Sequence, residues 1–479
     1  MPQSTRQWIS RKVHELRNTP ELPFHDLLEP ETVTQVLEQN QVRFRDRIFT
    51  PLVTLWTFLS QVLSPDHSCR EAVARLIAFR VARGQKACAP DTGSYCKARQ
   101  RLPLKVVTDL ARGTAAQLDE KAQDDLTWKG RVVHLVDGST VSMPDTEANQ
   151  QAFPQSSSQK PGLGFPLARL VAVISLATGV IRELAMGRYQ GKETGETALF
   201  RSLWDRFRSG EIIVGDRYFA SFFGIAPLWK RGIDGVFRMH QRRKYDFRRG
   251  TRLGVEDHVV RWTKPERPEW MDKALYAQLP EELLIRELRV KVDRPGFRVE
   301  ELVLVTTLLD SQEYTKEEVA DLYLKRWNIE LDLRSIKSVM QMEVLRCDTP
   351  EMVEKEVWMH VLAYNLIRGL MMRAAAAHDK EPRGLSFKGA LQALGAFREP
   401  LQWARGRRRR RLWEALLEVI ASYEVGNRPN RVEPRAVKRR PKPHKLLNEP
   451  RKKARERLLN KRKGRSANPS VATPYKKAA

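Results

Sequence analysis

Hydrophobic residues recur at helical spacing through the first quarter of the chain. The stretches with apolar residues three or four positions apart are 30–45, 52–63 and 70–83. This spacing places the apolar side chains on one face of an α-helix, and Ser64-Pro65 marks a turn between two of the stretches. We therefore predict a helical N-terminal domain over residues 1–125. It is either a domain for DNA binding or dimerisation, or a helical cap on the rest of the protein.

From about residue 126 the pattern changes to short apolar runs that are typical of strands. The predicted strands are Val132–Val136, Ala168–Leu176, Val180–Ala185, Glu211–Val214 and Gly235–Met239. Thr140–Pro144 is predicted to pair with the first, and helices Glu196–Arg208 and Phe222–Lys230 precede the last two. Three strands followed by alternating helices and strands is the order of a ribonuclease-H-like α/β domain. We predict such a catalytic core in two parts, 126–240 and 306–380.

Residues 241–305 interrupt the α/β pattern. Charged residues alternate with β-prone residues here, as in Val259–Trp262 and Leu302–Thr306. Alternation with a period of two is the signal of half-buried strands. The sequence therefore predicts a β-rich insertion between the two parts of the core.

Positive charge is concentrated near the C-terminus. The chain carries a net charge of +27, and from Arg405 onward it has 25 Lys and Arg against 6 Glu. Such a charge indicates a polyanionic partner, most economically nucleic acid. We predict that residues 381–479 are helical and then basic, with disorder from about Asn427 until nucleic acid binds. A tail that only improves solubility is the alternative. The basic clusters are Arg407–Arg411, Lys438–Arg440, Arg451–Lys453 and Lys461–Lys463.

Cysteine usage and hydropathy indicate a cytoplasmic protein with reduced thiols. The four cysteines contain no CxxC pair, and the spacing of His67, Cys69, Cys88 and Cys96 fits no common zinc site. The N-terminus lacks the apolar core of a signal peptide. The longest uncharged run, Ile48 to Pro65, contains several polar residues, so we interpret it as a buried helix and predict no membrane span.

One predicted helix carries a second polar face. At 100° per residue, Tyr323, Arg326, Glu330, Arg334 and Lys337 form one narrow stripe. A carboxylate among cations and a phenol, in a part-buried groove, suits metal and phosphate chemistry. The alternative is a surface ladder of i,i+4 ion pairs. The predicted solvent face is Lys325, Asn328, Asp332 and Ser335, and the apolar flanks are Leu322, Ile329, Leu333, Ile336 and Met340 on one side and Leu324, Trp327 and Leu331 on the other.

Two aspartates at strand ends are candidates to join Glu330. Asp137 and Asp216 each follow a predicted strand, where a simple turn residue is the alternative. Three clustered carboxylates repel one another unless a cation neutralises them, and such oxygen ligands select Mg²⁺ or Mn²⁺. Two ions can then clamp the attacking and leaving oxygens of a phosphodiester. Asp145 is a rival for the first carboxylate, and His134 and His360 are interpreted as packed residues.

These residues resemble a known family. The spacing of Tyr323, Arg326, Glu330 and Lys337 is similar to the YREK motif of DDE transposases of bacterial insertion sequences, in insertion-sequence family four. The strings around Asp137 and Asp216 resemble that family's two aspartate motifs. The resemblance implies a divalent-metal triad of Asp137, Asp216 and Glu330, with two Mg²⁺ ions that Mn²⁺ can replace. It further implies that Tyr323, Arg326, Arg334 and Lys337 hold DNA phosphates.

The resemblance also implies a reaction path and partners. The expected path is cut-and-paste transposition through nicking, hairpin formation, hairpin opening and strand transfer. The partners are the terminal inverted repeats and target DNA, with a dimer in the synaptic complex, at the bacterial nucleoid. In related enzymes a tryptophan in the insertion stacks on a flipped base; Glu301–Val305 has none, and Trp262 and Trp270 are the possible substitutes. Two other functions stay open: a metal-dependent nuclease or resolvase on the same fold, and a non-catalytic DNA-binding protein.

Overall fold

The N-terminal region is helical, as the apolar spacing predicts. The computed structural model describes residues 28–44, 47–122, 126–292, 301–426 and 446–466. The first helices are α1 (Pro30–Gln39), α2 (Pro51–Val62), α3 (Cys69–Ala82), α4 (Gly93–Arg101) and α5 (Leu104–Lys121). The side chain of Thr50 caps α2 and that of Ser68 caps α3 by accepting hydrogen bonds from free backbone N–H groups of the first turn. No helix in these ranges is long and apolar enough to cross a bilayer.

A mixed β-sheet forms the centre of the molecule. Its first strands are β1 (Val133–Ser142), β2 (Leu167–Ser175), β3 (Ile181–Arg188), β4 (Ile212–Gly215) and β5 (Asp234–Arg238). They lie in the order β3-β2-β1-β4-β5. β1, β2 and β3 are antiparallel neighbours, whereas β4 is parallel to both β1 and β5. Three meandering strands followed by parallel strands with helical crossovers is the ribonuclease-H-like α/β arrangement, so the predicted fold class is confirmed.

The β-rich stretch extends this sheet. Its strands are β6 (Thr251–Gly254), β7 (Asp257–Thr263), β8 (Glu282–Lys291) and β9 (Glu301–Thr306), and they continue in the order β9-β8-β7-β6 from β5. All are antiparallel. The Arg286 guanidinium is fully buried and pairs with Asp257 through both oxygens at 2.8 and 2.5 Å. The domain boundaries at 240 and 305 stay a prediction.

Helices cover both faces of the sheet. The short helices α6 (Glu147–Ala152), α7 (Glu196–Arg201), α8 (Phe222–Trp229) and α9 (Lys273–Gln278) lie between strands, and α10 (Lys316–Leu324), α11 (Trp327–Arg334) and α12 (Pro350–Ala377) follow β9. On one face of the sheet, the apolar side chains at alternate strand positions, including Leu135, Ala172 and Val214, pack against α5, α10, α11 and α12. On the other face α7 and α8 pack on Val136 and Ile213. Successive residues of β1 therefore point alternately to the two layers of helices.

Three sequence predictions about these elements are corrected. β1 is one continuous strand to Ser142, because β2 pairs with it along its whole length, rather than two strands that pair with each other. The predicted helix Glu196–Arg208 stops at Arg201, and a separate 3₁₀ turn follows at Trp204–Arg206. The helix that carries the YREK spacing is interrupted after Leu324 and ends in a π-helical turn, Ser335–Val339.

The C-terminal region contains more regular structure than its composition predicts. Helices α13 (Phe387–Trp403) and α14 (Gly406–Ser422) are followed by α15 (Arg451–Ser466). The expected disorder from Asn427 is thus wrong for α15, a basic segment without proline; the remainder, 427–445 and 467–479, lies outside the described residues. Arg407–Arg411 form the first turns of α14, whose apolar side packs on α12 and α13 through Leu416 and Ile420.

Candidate active site

Asp137 and Asp216 lie at the point where the sheet opens. β4 pairs with β1 only as far as Val136, which is opposite Gly215. Asp137 therefore has no neighbour on the β4 side, and Asp216 is the first residue after β4 ends. Ligand sites in α/β sheets form beyond the carboxyl ends of parallel strands. The topology places both aspartates at such an end, as the sequence predicted from the strand-end positions.

Arg326 connects the first aspartate to the glutamate. One of its guanidinium nitrogens donates to Asp137 Oδ2 at 3.2 Å and another donates to Glu330 Oε1 at 3.0 Å. Asp137 and Arg326 are 189 residues apart in sequence. Tyr323, almost fully buried, lies one turn before Arg326 in the same charged cluster. The structure thus brings together Asp137, Asp216, Tyr323, Arg326 and Glu330.

The aspartates carry charge that their surroundings do not fully compensate. Burial raises the pKa of Asp137 to about 6, against the opposing effect of Arg326, and the nearby Asp216 and Glu196 add to the rise. Burial also raises the pKa of Asp216, although Tyr218 N–H donates to its Oδ1 at 2.8 Å. Carboxyl groups with raised pKa values in one cleft mark a place where a cation would be favourable.

The pKa of Asp137 leads to a stability prediction. Between about pH 4 and 6 the folded protein keeps a proton that the unfolded chain has released, so stability falls as the pH rises through this window. We expect Asp137→Asn, in EDTA, to unfold at a higher temperature than wild type at pH 8. The difference should shrink as the pH falls below 6. Thermal unfolding over this pH range measures it, with the exposed Asp145→Asn as control; a variant less stable at every pH would contradict it.

Two residues of the stripe do not touch the carboxylates. Arg334 is exposed and Lys337 is half-buried, and neither has a hydrogen bond to Asp137, Asp216 or Glu330 in the described part of the chain. Both follow Glu330 toward the π-helical turn. The contacts of these two residues with a ligand therefore stay a prediction. The alternative interpretation, a surface ladder of i,i+4 ion pairs, holds only in part. Arg326 pairs with Glu330 four residues later, but it also pairs with Asp137 on β1.

The faces of the YREK helix differ from the helical-wheel prediction. Asp332, expected in solvent, is 1% exposed and bonds to Arg368, Arg383 and Tyr364. Trp327 and Leu331, predicted as an apolar flank, are 45% and 42% exposed. Cations from α12 and from the loop after it make burial of Asp332 favourable. The solvent-exposed side of α11 therefore includes Trp327 and Leu331, close to Glu330 on the helix, and not Asp332.

The rival and alternative residues have other partners. Asp145 is exposed and accepts a hydrogen bond from Gln150 at 2.8 Å. His134 and His360 are buried; His134 lies against Glu211 at 3.2 Å, and His360 Nδ1 donates to the Glu356 carbonyl at 2.9 Å. Both histidines are thus packed, as predicted.

The two candidate tryptophans pack inside the protein. Trp262 is 3% exposed, donates to Glu287 Oε1 at 3.1 Å and lies under Arg243. Trp270 is part-buried between Phe223 and the Arg201 guanidinium, which is 3.7 Å from its ring centre. Trp262 is therefore excluded as a residue that stacks on a base without rearrangement. The Trp270 ring already contacts two side chains of the protein, Phe223 and Arg201.

Sequence reasoning missed two charged residues near the cluster. Arg238, the last residue of β5, lies within electrostatic range of Asp216, Tyr323 and Arg326, and burial together with Arg217 lowers its pKa. Glu196, the first residue of α7, lies within range of Asp137 and Asp216. Arg238 was detectable, because it ends the parallel strand next to β4. No local signal distinguishes Glu196 from an ordinary residue of a helix first turn.

The carboxylate oxygens of the cluster suit a hard divalent cation, but in this structure the Arg326 guanidinium lies between Asp137 and Glu330. Carboxylate oxygens are the ligands that Mg²⁺ and Mn²⁺ prefer, and the raised pKa values of both aspartates fit that need. As the side chains stand, no group of three or more His, Cys, Asp and Glu among the described residues is arranged to hold a metal ion. The Arg326 guanidinium, placed between Asp137 and Glu330, supplies the positive charge instead.

Comparisons with known proteins identify a family over the part of the chain that contains this cluster. Residues 128–366, which include every residue of the cluster, match the family described as Transposase DDE domain. The chain is 29% identical over 438 residues to the transposase InsG for insertion sequence element IS4 of Escherichia coli (strain K12), covering 89% of this chain and 93% of that protein. It is 40% identical over 65 residues to the transposase for insertion sequence element IS421 of Escherichia coli, covering 14% of this chain and 18% of that protein.

A solved structure is also similar. It is the piggyBac transposase synaptic complex with hairpin DNA, with a TM-score of 0.41, 10% sequence identity, and coverage of 83% of this chain and 84% of that chain.

Proposed function

Because this chain belongs to the DDE transposases of bacterial insertion sequences, we propose that it excises its own element from duplex DNA and inserts it into target DNA. The observation that carries the proposal is the bridge from Asp137 through Arg326 to Glu330, beside Asp216. The bridge joins two distant parts of the chain, and Asp216 comes from a third part beside it, where the sheet opens between β1 and β4. Asp137, Asp216 and Glu330 are proposed as the catalytic carboxylates.

These three carboxylates would hold divalent metal, proposed as two Mg²⁺ ions that Mn²⁺ can replace. Bound there, metal lowers the pKa of water and stabilises the charge on the attacking and leaving oxygens of a phosphodiester. The protein's own part is to place the carboxylates and to exchange the partners of Arg326. With Asp137 and Glu330 engaged in holding metal, the Arg326 guanidinium, which donates to both in this structure, would be available for a DNA phosphate.

The polar stripe would hold the DNA backbone beside the carboxylates. Tyr323, Arg326, Arg334 and Lys337 are the proposed phosphate contacts, since guanidinium and ammonium groups pair with phosphate oxygens. The basic first turns of α14 and helix α15 add charge without reading sequence. End recognition is proposed for the helical region before residue 126. Coordinated cutting of two ends implies a dimer in the synaptic complex, at the nucleoid of the bacterial cytoplasm.

The proposed path uses one kind of step repeatedly. Water attacks the phosphodiester at the element end and releases a 3′-OH. That 3′-OH attacks the opposite strand, so one phosphodiester bond forms as another breaks, and a hairpin end results. A second hydrolysis opens the hairpin, and the restored 3′-OH attacks target DNA. A site that binds metal, a nucleophile and a phosphate in fixed geometry serves all four steps.

A cleavage assay with the element's own ends tests this function. Purified protein and Mg²⁺ are incubated with a labelled fragment that carries the inverted repeats flanking the gene, and products are resolved on denaturing gels. We expect nicks at the element ends, followed by hairpins, and neither product in EDTA. A fragment that is nicked beforehand, and whose strand at the nick ends in a nucleotide without a 3′-OH, should form no hairpin, because the attacking group is missing. Cleavage without preference for the ends would favour a nuclease, and binding without any cleavage would contradict the enzymatic function.

A further inference from the structure

A fourth carboxylate approaches the cluster from the other side of the sheet. Glu196 is the first residue of α7, which follows β3 and packs on β2 and β3. α7 belongs to the layer that also buries Phe200 against Val136. Asp137 points to the opposite layer, toward Arg326. Glu196 and Asp137 thus flank the same point of β1 from its two faces.

The absence of a side chain at Gly138 makes this approach possible. A Cβ built on Gly138 would overlap Cγ, Cδ and Oε1 of Glu196, so the carboxyl group occupies the space that a side chain would take. Gly138 follows Asp137, and β4 has already ended beside them at Gly215. The Glu196 carboxyl group therefore lies against the backbone of β1 where the sheet is open toward Asp216.

In the described part of the chain, no side chain or backbone group donates a hydrogen bond to the Glu196 carboxyl group. Among the described residues, its oxygens accept no hydrogen bond and form no ion pair within 4.0 Å. The cation that acts on it, Arg169, is turned to the Tyr189 carbonyl at 3.3 Å and stacks on the Tyr189 ring. Meanwhile Asp137 and Asp216 repel it. A half-buried carboxylate without a donor beside two others costs free energy unless a cation binds.

We propose that Glu196 is a fourth acidic residue of the active site, and that it helps Asp137 and Asp216 to hold divalent metal. This inference rests on the proposed function, since it assigns another residue to the same metal. Glu196 supplies either a direct oxygen ligand or an acceptor for a metal-bound water. In both cases its role is lost when the carboxylate becomes an amide or is pushed away from β1.

Mn²⁺ binding to the full-length protein, measured by the electron paramagnetic resonance signal of free Mn²⁺, tests the proposal without relying on activity. We expect Glu196→Gln to weaken Mn²⁺ binding about 10- to 100-fold. The matched control is Glu193→Gln, which removes the same charge in the same segment from a residue that pairs with Arg201 at the surface. The control should bind Mn²⁺ like wild type. Equal binding by wild type and Glu196→Gln would overturn the proposal.

A second variant moves the carboxylate instead of changing it. Gly138→Ala places a methyl group where the carboxyl group lies, and the flexible end of Glu196 must turn away. We expect weaker Mn²⁺ binding than wild type, with Gly138→Ala combined with Glu196→Gln no weaker than the poorer single variant. Additive losses would overturn the proposal, because they would mean that the two changes act independently.

Two further outcomes distinguish a failure of this proposal from a failure of the proposed function. If Asp137→Asn loses Mn²⁺ and Glu196→Gln does not, the fourth carboxylate is refuted and the triad stands. If wild type itself does not bind Mn²⁺, the proposed metal site fails and this inference fails with it. In EDTA, Glu196→Gln should unfold at the wild-type temperature or above, because a repelling charge is removed. A lower temperature would assign Glu196 to the fold and overturn the proposal.

Discussion

Replacing Glu330 with glutamine is expected to abolish strand cleavage at the element ends, by at least about 10³-fold, while DNA binding stays unchanged. Glutamine keeps the shape of the side chain but removes the negative charge that Arg326 now neutralises. Without that charge the site loses an anionic oxygen for metal. The proposed phosphate contacts remain, so affinity for the ends should persist. Cleavage is measured on denaturing gels and binding by electrophoretic mobility shift.

The control for this variant is Glu317→Gln. Glu317 is exposed in the first turn of α10, on the same connected pair of helices, and its replacement removes one negative charge as well. It should cleave like wild type. If Glu330→Gln retained cleavage near the wild-type rate, Glu330 would be a structural member of an ion-pair ladder. Loss of both binding and cleavage would point to misfolding, which circular dichroism of the same preparation reveals.

The second large effect is on stability, through Asp332. Its side chain is 1% exposed and bonds to Arg368, to Arg383 at 3.0 Å and to the Tyr364 hydroxyl at 3.1 Å. Asp332→Ala leaves two guanidinium groups near each other in the core without their anion. Removing one partner of a buried ion pair costs about 3–5 kcal/mol. We expect that loss in the free energy of unfolding, measured by urea denaturation followed by circular dichroism.

Asp332 also ties α11, the helix that carries Glu330, to Arg368 and Arg383. It lies two residues after Glu330 on α11, whereas Arg368 lies on α12 and Arg383 in the 3₁₀ turn Pro382–Gly384. Asp145→Ala, at an exposed aspartate, should change the unfolding free energy by less than about 0.5 kcal/mol. A loss for Asp332→Ala no larger than that of the control would contradict the buried network.

The sequence could predict the parts of the site that have local signals. Asp137 and Asp216 follow short apolar runs, and the strand order implies that those runs end at one edge of the sheet. The spacing of Tyr323, Arg326 and Glu330 places them on one side of a helix even though the helix is interrupted at Lys325, because the backbone there stays in the α region. Local periodicity and strand order were sufficient for these five residues.

The remaining features depend on partners far along the chain. Asp332 looks like a solvent residue on a helical wheel, and only Arg368 and Arg383 make its burial favourable. Trp327 looks like a core residue on the same wheel, but it is 45% exposed. Glu196 reaches the site only because residue 138 is glycine. A single sequence holds no signal for such pairings, which arise from tertiary packing.

One measurement tests most directly whether Asp137, Asp216 and Glu330 serve a single metal centre. The protein is loaded with Fe²⁺ in place of Mg²⁺ and treated with ascorbate and peroxide, so that hydroxyl radicals cut the backbone closest to the bound ion. Mass spectrometry then locates the cuts. We predict cuts beside all three residues, each suppressed by excess Mg²⁺. Cuts beside only one of them, or cuts that Mg²⁺ does not suppress, would contradict a shared metal centre.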